Sequence, residues 1–303
     1  SDMCRRDSIP SIYTDYNEFL QNPDIDFVYI GLINSAHFSY TREALLAGKN
    51  VIVEKPFASN LREVKLLAEL AQSKKLFLFE AVSLLHMPNY AKLQELLPQL
   101  GRITMVQANY SQYSSRYDKY LEGTVLPAFD PQLSGGALYD INIYNLNLII
   151  GFFGAPNNLI YQARNGFNGI DTSGVVLMSY PEFQALAIGA KDSDSPSTCL
   201  IQGEKGWLKV ETAPNQLEKI ACQIRGEDNI QEYALNQYPH RLSHEFAAFA
   251  AMLANKDFAG RDLYLNISLQ VAEAAEKSRK QADISFLADQ YLRSVPGGAK
   301  CPE

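Results

Sequence analysis

An alternation of strand-like and helix-like segments early in the chain constrains the fold more than any other feature of the sequence. Three runs rich in β-branched and aromatic residues have the composition of buried strands, at 26–32 (DFVYIGL), 50–54 (NVIVE) and 76–81 (LFLFEA). The two segments between them, 39–46 and 60–75, are helical in composition and spacing. This order requires right-handed crossovers between parallel strands. The sequence therefore predicts a doubly wound α/β sheet.

After residue 100 the pattern changes to long strands joined by short turns. Strands are predicted at 102–114, 172–180, 183–191, 198–203 and 206–212. Helices are predicted at 137–150, embedded among the strands, and later at 240–254 and 263–281. We therefore expect a parallel-sheet domain over residues 1–100, to which the C-terminal helix can return. An α/β domain with a large, mostly antiparallel sheet is expected over residues 101–303.

Composition argues against several classes of function. The 303-residue chain has a formal net charge of −7 and no long basic run, so we expect no nucleic-acid partner and no membrane partner. Its four cysteines lie far apart without a CxxC pair, which argues against disulfides and zinc and favours a reducing, cytoplasmic setting. No apolar run reaches the roughly 18 residues that a transmembrane helix needs. The sequence predicts a cytoplasmic globular protein.

Polar side chains stand where each predicted parallel strand ends. Asn34 and His37 follow the first strand, Glu54 and Lys55 the second, and Glu80 ends the third. In open α/β sheets, ligands bind outside the carboxyl ends of the strands. A strand end that merely turns into solvent is the alternative for each residue alone. The convergence of amide, imidazole, carboxylate and ammonium groups favours a binding site.

A second candidate set lies on the embedded helix. Asp140 and Tyr144 are four residues apart and therefore face the same side of the helix. Each has an ordinary alternative: Tyr144 as a core aromatic and Asp140 as a surface acid, although apolar neighbours disfavour a solvated face. His240, His244 and Glu245 have the spacing of a metal pair with a neighbour, but the sequence shows no further ligand. We predict no metal site.

Four stretches together resemble the Gfo/Idh/MocA family of NAD(P)-dependent oxidoreductases: NSAH (34–37), AGKNVIVEKP (47–56), GGALYDINIY (135–144) and IQGEKGWLKV (201–210). The resemblance runs from about residue 9 to 288, in order and at matching spacing. It is strongest to the branch that contains dimeric dihydrodiol dehydrogenase and related sugar dehydrogenases. It implies a Rossmann-type N-terminal domain and a C-terminal α/β domain whose antiparallel sheet commonly forms an oligomer interface. A homo-oligomer is therefore expected.

The resemblance also implies roles for particular residues. Lys55 would lie beside the nicotinamide ring and the substrate hydroxyl, and Tyr144 of the D-x-x-x-[HY] pattern would be the acid/base. Asp140 would hold substrate hydroxyls or orient the lysine. A neighbouring ammonium favours a phenolate, which makes tyrosine a usable proton acceptor near neutral pH. The implied reaction transfers a hydride between NAD or NADP and a secondary alcohol of a sugar or cyclic diol. Residues expected to contact the cofactor are Asn34, His37, Glu54, Lys55 and Glu80.

The sequence departs from the family pattern in three places. It contains no G-x-G-x-x-[GA] turn, which receives the pyrophosphate at a helix N-terminus. Roughly 50 residues, about two βα units, are therefore expected to be missing from an incomplete Rossmann-type domain, and the first strand is expected to be a hydrophobic edge. Ile33 and Asn142 replace a usual proline and glycine and predict a shifted substrate pocket. A truncated oxidoreductase is the main hypothesis. A catalytically silent scaffold without cofactor and a sugar-phosphate-binding module are the alternatives.

Overall fold

The computed structural model describes residues 9–291. The strands are β1 (Phe27–Ile30), β2 (Asn50–Glu54), β3 (Leu78–Ala81), β4 (Ile103–Ser111), β5 (Asn158–Asn165), β6 (Asp171–Ser179), β7 (Gln184–Ala190), β8 (Thr198–Gly203), β9 (Gly206–Val210), β10 (Ile220–Ile224) and β11 (Gln231–Tyr233). The α-helices are α1 (Tyr16–Gln21), α2 (His37–Leu46), α3 (Leu61–Lys74), α4 (Pro88–Leu96), α5 (Tyr117–Leu121), α6 (Ile143–Phe153), α7 (Leu242–Ala254), α8 (Phe258–Gln281) and α9 (Ala288–Tyr291). A π-helical turn, Leu138–Asn142, leads directly into α6.

The first sheet is parallel, in the order β1-β2-β3 over the described part of the chain. The connecting helices α2 and α3 pack against each other, and Val51 and Val53 of the middle strand are completely buried. Asn60 caps α3 by accepting a hydrogen bond from the N–H of Glu63, as its position before the helix predicts. The predicted order of strands and helices is confirmed. All three carboxyl ends consequently lie on one edge of this sheet.

The second sheet contains the other eight strands of residues 9–291, in the order β11-β10-β9-β8-β4-β7-β6-β5. Its neighbouring strands are antiparallel except β4 and β7, which run parallel. A continuous apolar core lies between the inner face of the sheet and the helices α4 and α6. The expectation of a large, mostly antiparallel sheet is confirmed. The sequence pattern did not predict β5, β10 and β11.

The embedded helix begins differently from the prediction. Instead of a regular α-helix, residues 138–142 form the π-helical turn. Gly136 precedes it with a φ of +102°, and a Cβ there would lie 2.1 Å from Oδ1 of Asp171, so the position requires glycine. Asp171 also accepts a hydrogen bond from the N–H of Leu138 at 2.6 Å. Asp171, the first residue of β6, therefore packs against the start of the turn.

The two long C-terminal helices join the sheets. α8 packs against α3 and β3 on one side and against α6 and β5 on the other. α7 packs beside the end of β3, where the rings of Phe249 and Phe79 stack with centroids 4.3 Å apart. These contacts hold the carboxyl edge of the parallel sheet opposite the π-helical turn. Among the described helices, none is both long and apolar enough to span a membrane.

Candidate active site

Lys55, the residue after β2, reaches from the parallel sheet to the π-helical turn. Its Nζ donates to the backbone oxygen of Asp140 at 2.6 Å and to Oδ1 of the same residue at 3.0 Å. The ammonium also lies 5.1 Å from the ring centroid of Tyr144, which is a cation–π contact. The Lys55 side chain keeps 15% of its surface exposed, and its peptide bond to Pro56 is cis. The structure thus brings together the three residues that the sequence assigned to catalysis.

The carboxylate of Asp140 binds a second lysine. Its Oδ2 accepts a hydrogen bond from Nζ of Lys191 at 2.5 Å, so the carboxylate bridges two ammonium groups. Burial disfavours ionisation of Asp140, but Lys55 and Lys191 outweigh burial and hold its pKa well below the usual range. Burial also disfavours the charge on Lys55, yet Asp140 and Tyr144 outweigh it, so the pKa of Lys55 is raised. Lys55 and Asp140 are therefore both charged at neutral pH.

Tyr144 lies in the first turn of α6 and is only 6% exposed. Its ring centroid is 6.0 Å from that of Tyr110 on β4. The hydroxyl of Tyr110 accepts a hydrogen bond from Nδ2 of Asn215 at 3.2 Å. Asn215 belongs to the loop between β9 and β10, so this loop closes the site on the side of the large sheet.

A polar cavity of about 440 Å³ opens beside the same loop. Its walls come from residues 216–218, residues 234–241 and the first turn of α7, and they include two imidazoles, a guanidinium, two amides and a carboxylate. The guanidinium of Arg241 also donates to the hydroxyl of Ser83 at 3.0 Å, which ties the cavity wall to the segment after β3. Lys55, Asp140 and Tyr144 are not among its lining residues, so this cavity is separate from their cluster.

Glu54 and Asn34 lie at the carboxyl ends of β2 and β1. The carboxylate of Glu54 accepts hydrogen bonds from the hydroxyl of Tyr29 and from the N–H of Lys55, the latter at 3.2 Å. Nδ2 of Asn34 donates to the backbone oxygen of Ser134 at 2.8 Å, which connects the end of β1 to the loop before the π-helical turn. Both side chains are partly exposed. They therefore contribute to the surface of the carboxyl edge.

His37 lies beneath that surface. It is completely buried, and its two ring nitrogens lie 2.8 Å from the backbone oxygen of Pro56 and 3.1 Å from that of Leu32. Burial lowers the pKa of His37, and the two carbonyl contacts oppose the shift. The ring therefore links the loop after β1 to the cis-proline segment instead of presenting itself to a ligand.

Glu80 on β3 is also buried. Its carboxyl group accepts hydrogen bonds from the N–H of Phe57 at 2.9 Å and from the hydroxyl of Ser268 at 2.6 Å. Burial raises the pKa of Glu80 to about 7, although these two hydrogen bonds oppose the shift. The sequence grouped His37 and Glu80 with the cofactor contacts. In the structure, both side chains bind the backbone of the residues next to Lys55 and lie below the surface of the carboxyl edge.

Asn142 also has a different place from the one the sequence suggested. Its side chain is buried and donates from Nδ2 to the backbone oxygen of Ala187 at 3.1 Å. Gly189 makes this approach possible, because a Cβ there would lie 2.5 Å from the Cβ of Asn142. Asn142 thus fastens the π-helical turn to β7, and the shifted substrate pocket stays a prediction.

Lys191 was not identified from the sequence. Glu245 was considered there only as a neighbour of the possible metal pair His240 and His244. The signal for Lys191 is a lysine directly after a buried strand, the same signal that Lys55 gives. Glu245, in α7, is fully buried, and neither carboxylate oxygen has a hydrogen-bond partner among residues 9–291. Burial first, and Glu54 second, raise the pKa of Glu245 to about 8, while Arg241 opposes the shift. Nowhere in the described chain do three potential metal-binding side chains cluster.

The fold and the site together define a class of protein. A parallel sheet presents a lysine at its carboxyl edge, and the helical segment packed on the large, mostly antiparallel sheet carries the acid and the phenol opposite it, as in two-domain nicotinamide-dependent oxidoreductases. Residues 1–82 match the family described as "Oxidoreductase family, NAD-binding Rossmann fold", and residues 90–209 match the "GFO/IDH/MocA C-terminal domain". The chain belongs to the Gfo/Idh/MocA family of oxidoreductases, as its motifs predicted.

Named relatives agree with this assignment. The scyllo-inositol 2-dehydrogenase (NADP(+)) of Bacillus subtilis (strain 168) is 32% identical over 92% of this chain and 84% of its own length. The trans-1,2-dihydrobenzene-1,2-diol dehydrogenase of Danio rerio is 31% identical over 69% of this chain and 62% of its own. Among solved structures, a 3-ketoreductase from Actinomadura kijaniata in complex with NADP and TDP-benzene has a TM-score of 0.77 at 20% identity, covering 92% of this chain and 85% of that one. That structural likeness concerns the fold.

The donor set of the site fits the reactive end of a nicotinamide cofactor. Amino-acid side chains supply acids, bases and cations but no hydride acceptor, so redox chemistry at an alcohol needs such a cofactor. Lys55, Glu54 and Asn34 lie at adjoining carboxyl ends of β1 and β2, where α/β sheets bind nucleotides. The Lys55 ammonium is also close to a phenol and remains partly exposed. A cation and a phenol beside an open strand edge are the groups that alcohol oxidation requires.

Proposed function

We propose that this protein transfers a hydride between NAD or NADP and a secondary alcohol of a cyclic polyol or sugar. One observation carries the proposal: the Lys55 ammonium is fixed by Asp140 at the carboxyl edge of the parallel sheet, 5.1 Å from the Tyr144 ring. Oxidation of an alcohol removes a proton as well as a hydride. A fixed cation next to a phenol serves the proton half of that reaction.

Each of the three residues has a separate role in the proposed reaction. Lys55 donates a hydrogen bond to the substrate oxygen and stabilises the negative charge that develops there. The Tyr144 side chain, in its phenolate form, accepts the hydroxyl proton during oxidation, and the resulting phenol returns that proton during reduction. Asp140 holds Lys55 in place and keeps it protonated. The nicotinamide, when bound, supplies the hydride acceptor, and Asn34 and Glu54 are the residues that would hold its reactive end.

The substrate class is supported by the relatives. The two curated relatives are named for an inositol and for a cyclic dihydrodiol, which both carry hydroxyls on a six-membered ring. We therefore infer a neutral cyclic compound with adjacent hydroxyls as the substrate class.

We also propose that the chain forms a homo-oligomer through the outer face of its large sheet. That face carries apolar side chains that are only partly covered, including the cross-strand pairs Val175 with Ile188 and Leu177 with Leu186. A broad apolar surface of this kind is typical of an interface between subunits. Light scattering should therefore give a mass above that of the 33.9 kDa chain. Leu177→Asp should shift the protein to the mass of one chain, and a monomeric wild type would contradict this proposal.

The test of the catalytic proposal compares two tyrosine variants, one in the first turn of α6 and one in the π-helical turn before it. Tyr144→Phe removes the proposed acid/base, whereas Tyr139→Phe removes a buried hydroxyl that lies 3.3 Å from the backbone oxygen of Ser59. The full chain is assayed with NAD+ or NADP+ and a panel of inositols, aldoses and a cyclic trans-diol, and formation of reduced nicotinamide is followed by absorbance. Tyr144→Phe should lose about 100-fold or more in kcat, and Tyr139→Phe should not.

Binding is measured separately, by the fluorescence of NADH and NADPH titrated with the protein. Saturable binding that Tyr144→Phe retains would show that the variant lost chemistry and not its cofactor. Absence of saturation by about 1 mM, the upper end of usual KM values, would contradict the proposed function for this chain. Equal turnover by Tyr144→Phe and wild type would contradict the role of the phenol.

A further inference from the structure

Lys191 belongs to the same cluster as Lys55, Asp140 and Tyr144, and it is more deeply buried than they are. It follows β7 directly, and only 2% of its surface is exposed. Its Nζ donates to Oδ2 of Asp140 at 2.5 Å and to the backbone oxygen of Ala128 at 3.1 Å, and it lies 4.5 Å from the ring centroid of Phe129. Two oxygens and an aromatic face therefore surround the ammonium. Lys191 acts on a substrate only through Asp140.

The charges around Lys191 alternate in sign. Asp140 faces it from the π-helical turn, Lys55 lies beyond Asp140 at the end of β2, and Asp171 approaches from β6. Burial lowers the pKa of Lys191; the two carboxyl groups oppose that shift, and Lys55 adds to it. The Asp140 carboxylate lies between the two ammonium groups and is the counter-ion that Lys191 contacts directly, which accounts for a lysine placed so deeply in the protein.

We propose that Lys191 is a positioning residue: by holding Oδ2 of Asp140, it fixes Oδ1 against Lys55 and directs the Lys55 ammonium toward the substrate oxygen. This inference rests on the proposed function of the site. An aspartate carboxylate bound at one oxygen turns readily about χ2, because that torsion has broad energy minima. With an ammonium on each oxygen, the carboxylate is held at both ends. Lys55 uses two of its three N–H groups on Asp140, which leaves one available for the substrate.

The test exchanges Lys191 and compares it with another buried lysine. Lys191→Met removes the ammonium, Lys191→Arg keeps a cation, and Lys49→Met is the matched control. Lys49 is also buried, but its Nζ donates to the backbone oxygens of Asn22 and Ile25. Lys191→Gln, which retains a neutral donor, provides the same comparison if the methionine variant does not fold.

Kinetics of the full chain give the first readout. In Lys191→Met, kcat should fall about 100-fold, as small misplacements of catalytic groups do, with little change in the KM for the cofactor. The acid limb of the kcat/KM profile should move to higher pH, because Asp140 keeps one of the two cations that lower its pKa. Lys191→Arg should recover most of kcat and the wild-type profile, and Lys49→Met should keep that profile.

The second readout needs no turnover. The ¹³Cε order parameter of Lys55, assigned with Lys55→Arg, is measured by NMR relaxation in each variant. It should fall in Lys191→Met and stay unchanged in Lys49→Met. A folded Lys191→Met with the wild-type order parameter and pH profile, whose only change is lower stability, would overturn the proposal. If the wild type oxidises no polyol, the proposed function fails by itself, and the order parameter still decides whether Lys191 positions Lys55.

Discussion

The two ends of β2 each carry a lysine, and the two lysines have different partners. Lys49 precedes the strand, is 9% exposed, and donates to the backbone oxygens of Asn22 at 2.7 Å and Ile25 at 3.0 Å. Lys55 follows the strand and donates to the backbone and the ionised carboxylate of Asp140, with a phenol ring beside it. The first lysine meets neutral carbonyls, and the second meets a counter-ion and a titratable group.

The difference follows from the direction of the strands. At the amino edge of this sheet, Lys49 fastens the turn before β1, so its hydrogen bonds serve the fold. At the carboxyl edge, the loops after the strands leave a crevice where α/β proteins bind ligands. Burial of a lysine is therefore no sign of a site by itself. The edge on which it lies and the charge of its partner distinguish the two cases.

Exchange of each lysine for methionine should produce the largest effect and test this comparison directly. Lys55→Met should lower kcat/KM about 1,000-fold, because a donor to developing negative charge is worth that much. Lys49→Met should leave kcat/KM unchanged and lower the free energy of unfolding by about 1–3 kcal/mol, since two backbone oxygens lose their donor. Steady-state kinetics and urea denaturation measure the two effects. Equal losses of activity in both variants would contradict the proposal that only the lysine at the carboxyl edge takes part in the reaction.

Asp140→Asn should make the surroundings of Lys55 resemble those of Lys49. The backbone oxygen of Asp140 remains as an acceptor, but the anion shared with Lys191 is lost. We expect kcat to fall about 100-fold because Lys55 is no longer held. Burial, no longer opposed by Asp140, should lower the pKa of Lys55. Because Lys55 donates only when protonated, the alkaline limb of the rate profile should move to lower pH. An unchanged alkaline limb would contradict the ion pair.

The sequence predicted the parts of this comparison that depend on local pattern. The β-branched runs gave the parallel strands, and the spacing and resemblance gave Lys55, Asp140 and Tyr144. The contact of Lys191 with Asp140 spans 51 residues and depends on how β7 meets the π-helical turn. The hydrogen bond from the N–H of Leu138 in the π-helical turn to Asp171 spans 33 residues. The residues that adjoin Lys191 and Asp171 in the sequence do not indicate either contact.

The sequence also showed that polar residues end the strands without showing which way they point. At the end of a strand, a polar side chain can meet a ligand or satisfy a buried backbone group, and the composition is the same in both cases. Glu54 is partly exposed, whereas Glu80 on the next strand turns inward to the N–H of Phe57. The partners of Glu80, Phe57 and Ser268, are 23 and 188 residues away in the sequence, so its direction is a tertiary feature.

Glu245 is a buried acid near the carboxyl edge whose oxygens have no hydrogen-bond partner among residues 9–291. We expect it to affect stability and not activity. The pKa of Glu245 in the folded protein is about 8, above the ordinary 4.5. The stability that its protonated form contributes is therefore full below about pH 4.5 and is lost as pH rises through 8. Glu245→Met should raise the free energy of unfolding by about 3 kcal/mol near pH 8, and by less near pH 5.

Urea unfolding at a series of pH values checks this prediction. Glu273→Met, which removes an exposed acid on α8, controls for the change in net charge. A difference between Glu245→Met and wild type that does not grow with pH would show that Glu245 is not the titrating group. A large loss of kcat in Glu245→Met would instead extend the reactive edge to α7.

Glu80→Gln should have the smallest effect, and it limits the reactive edge on the side of β3. The folded-state pKa of Glu80 is about 7, above the ordinary 4.5, so wild-type stability from this group is full below about pH 4.5 and is lost as pH rises through 7. Glutamine keeps an acceptor for Phe57 and a neutral partner for Ser268. The variant should match wild type near pH 5 and exceed its free energy of unfolding by about 2 kcal/mol near pH 8, while kcat stays the same.

Glu69→Gln, exposed on α3, is the matched control. If Glu80→Gln lost activity as Asp140→Asn does, Glu80 would belong with Lys55 and not with Lys49, and the whole carboxyl edge would be reactive.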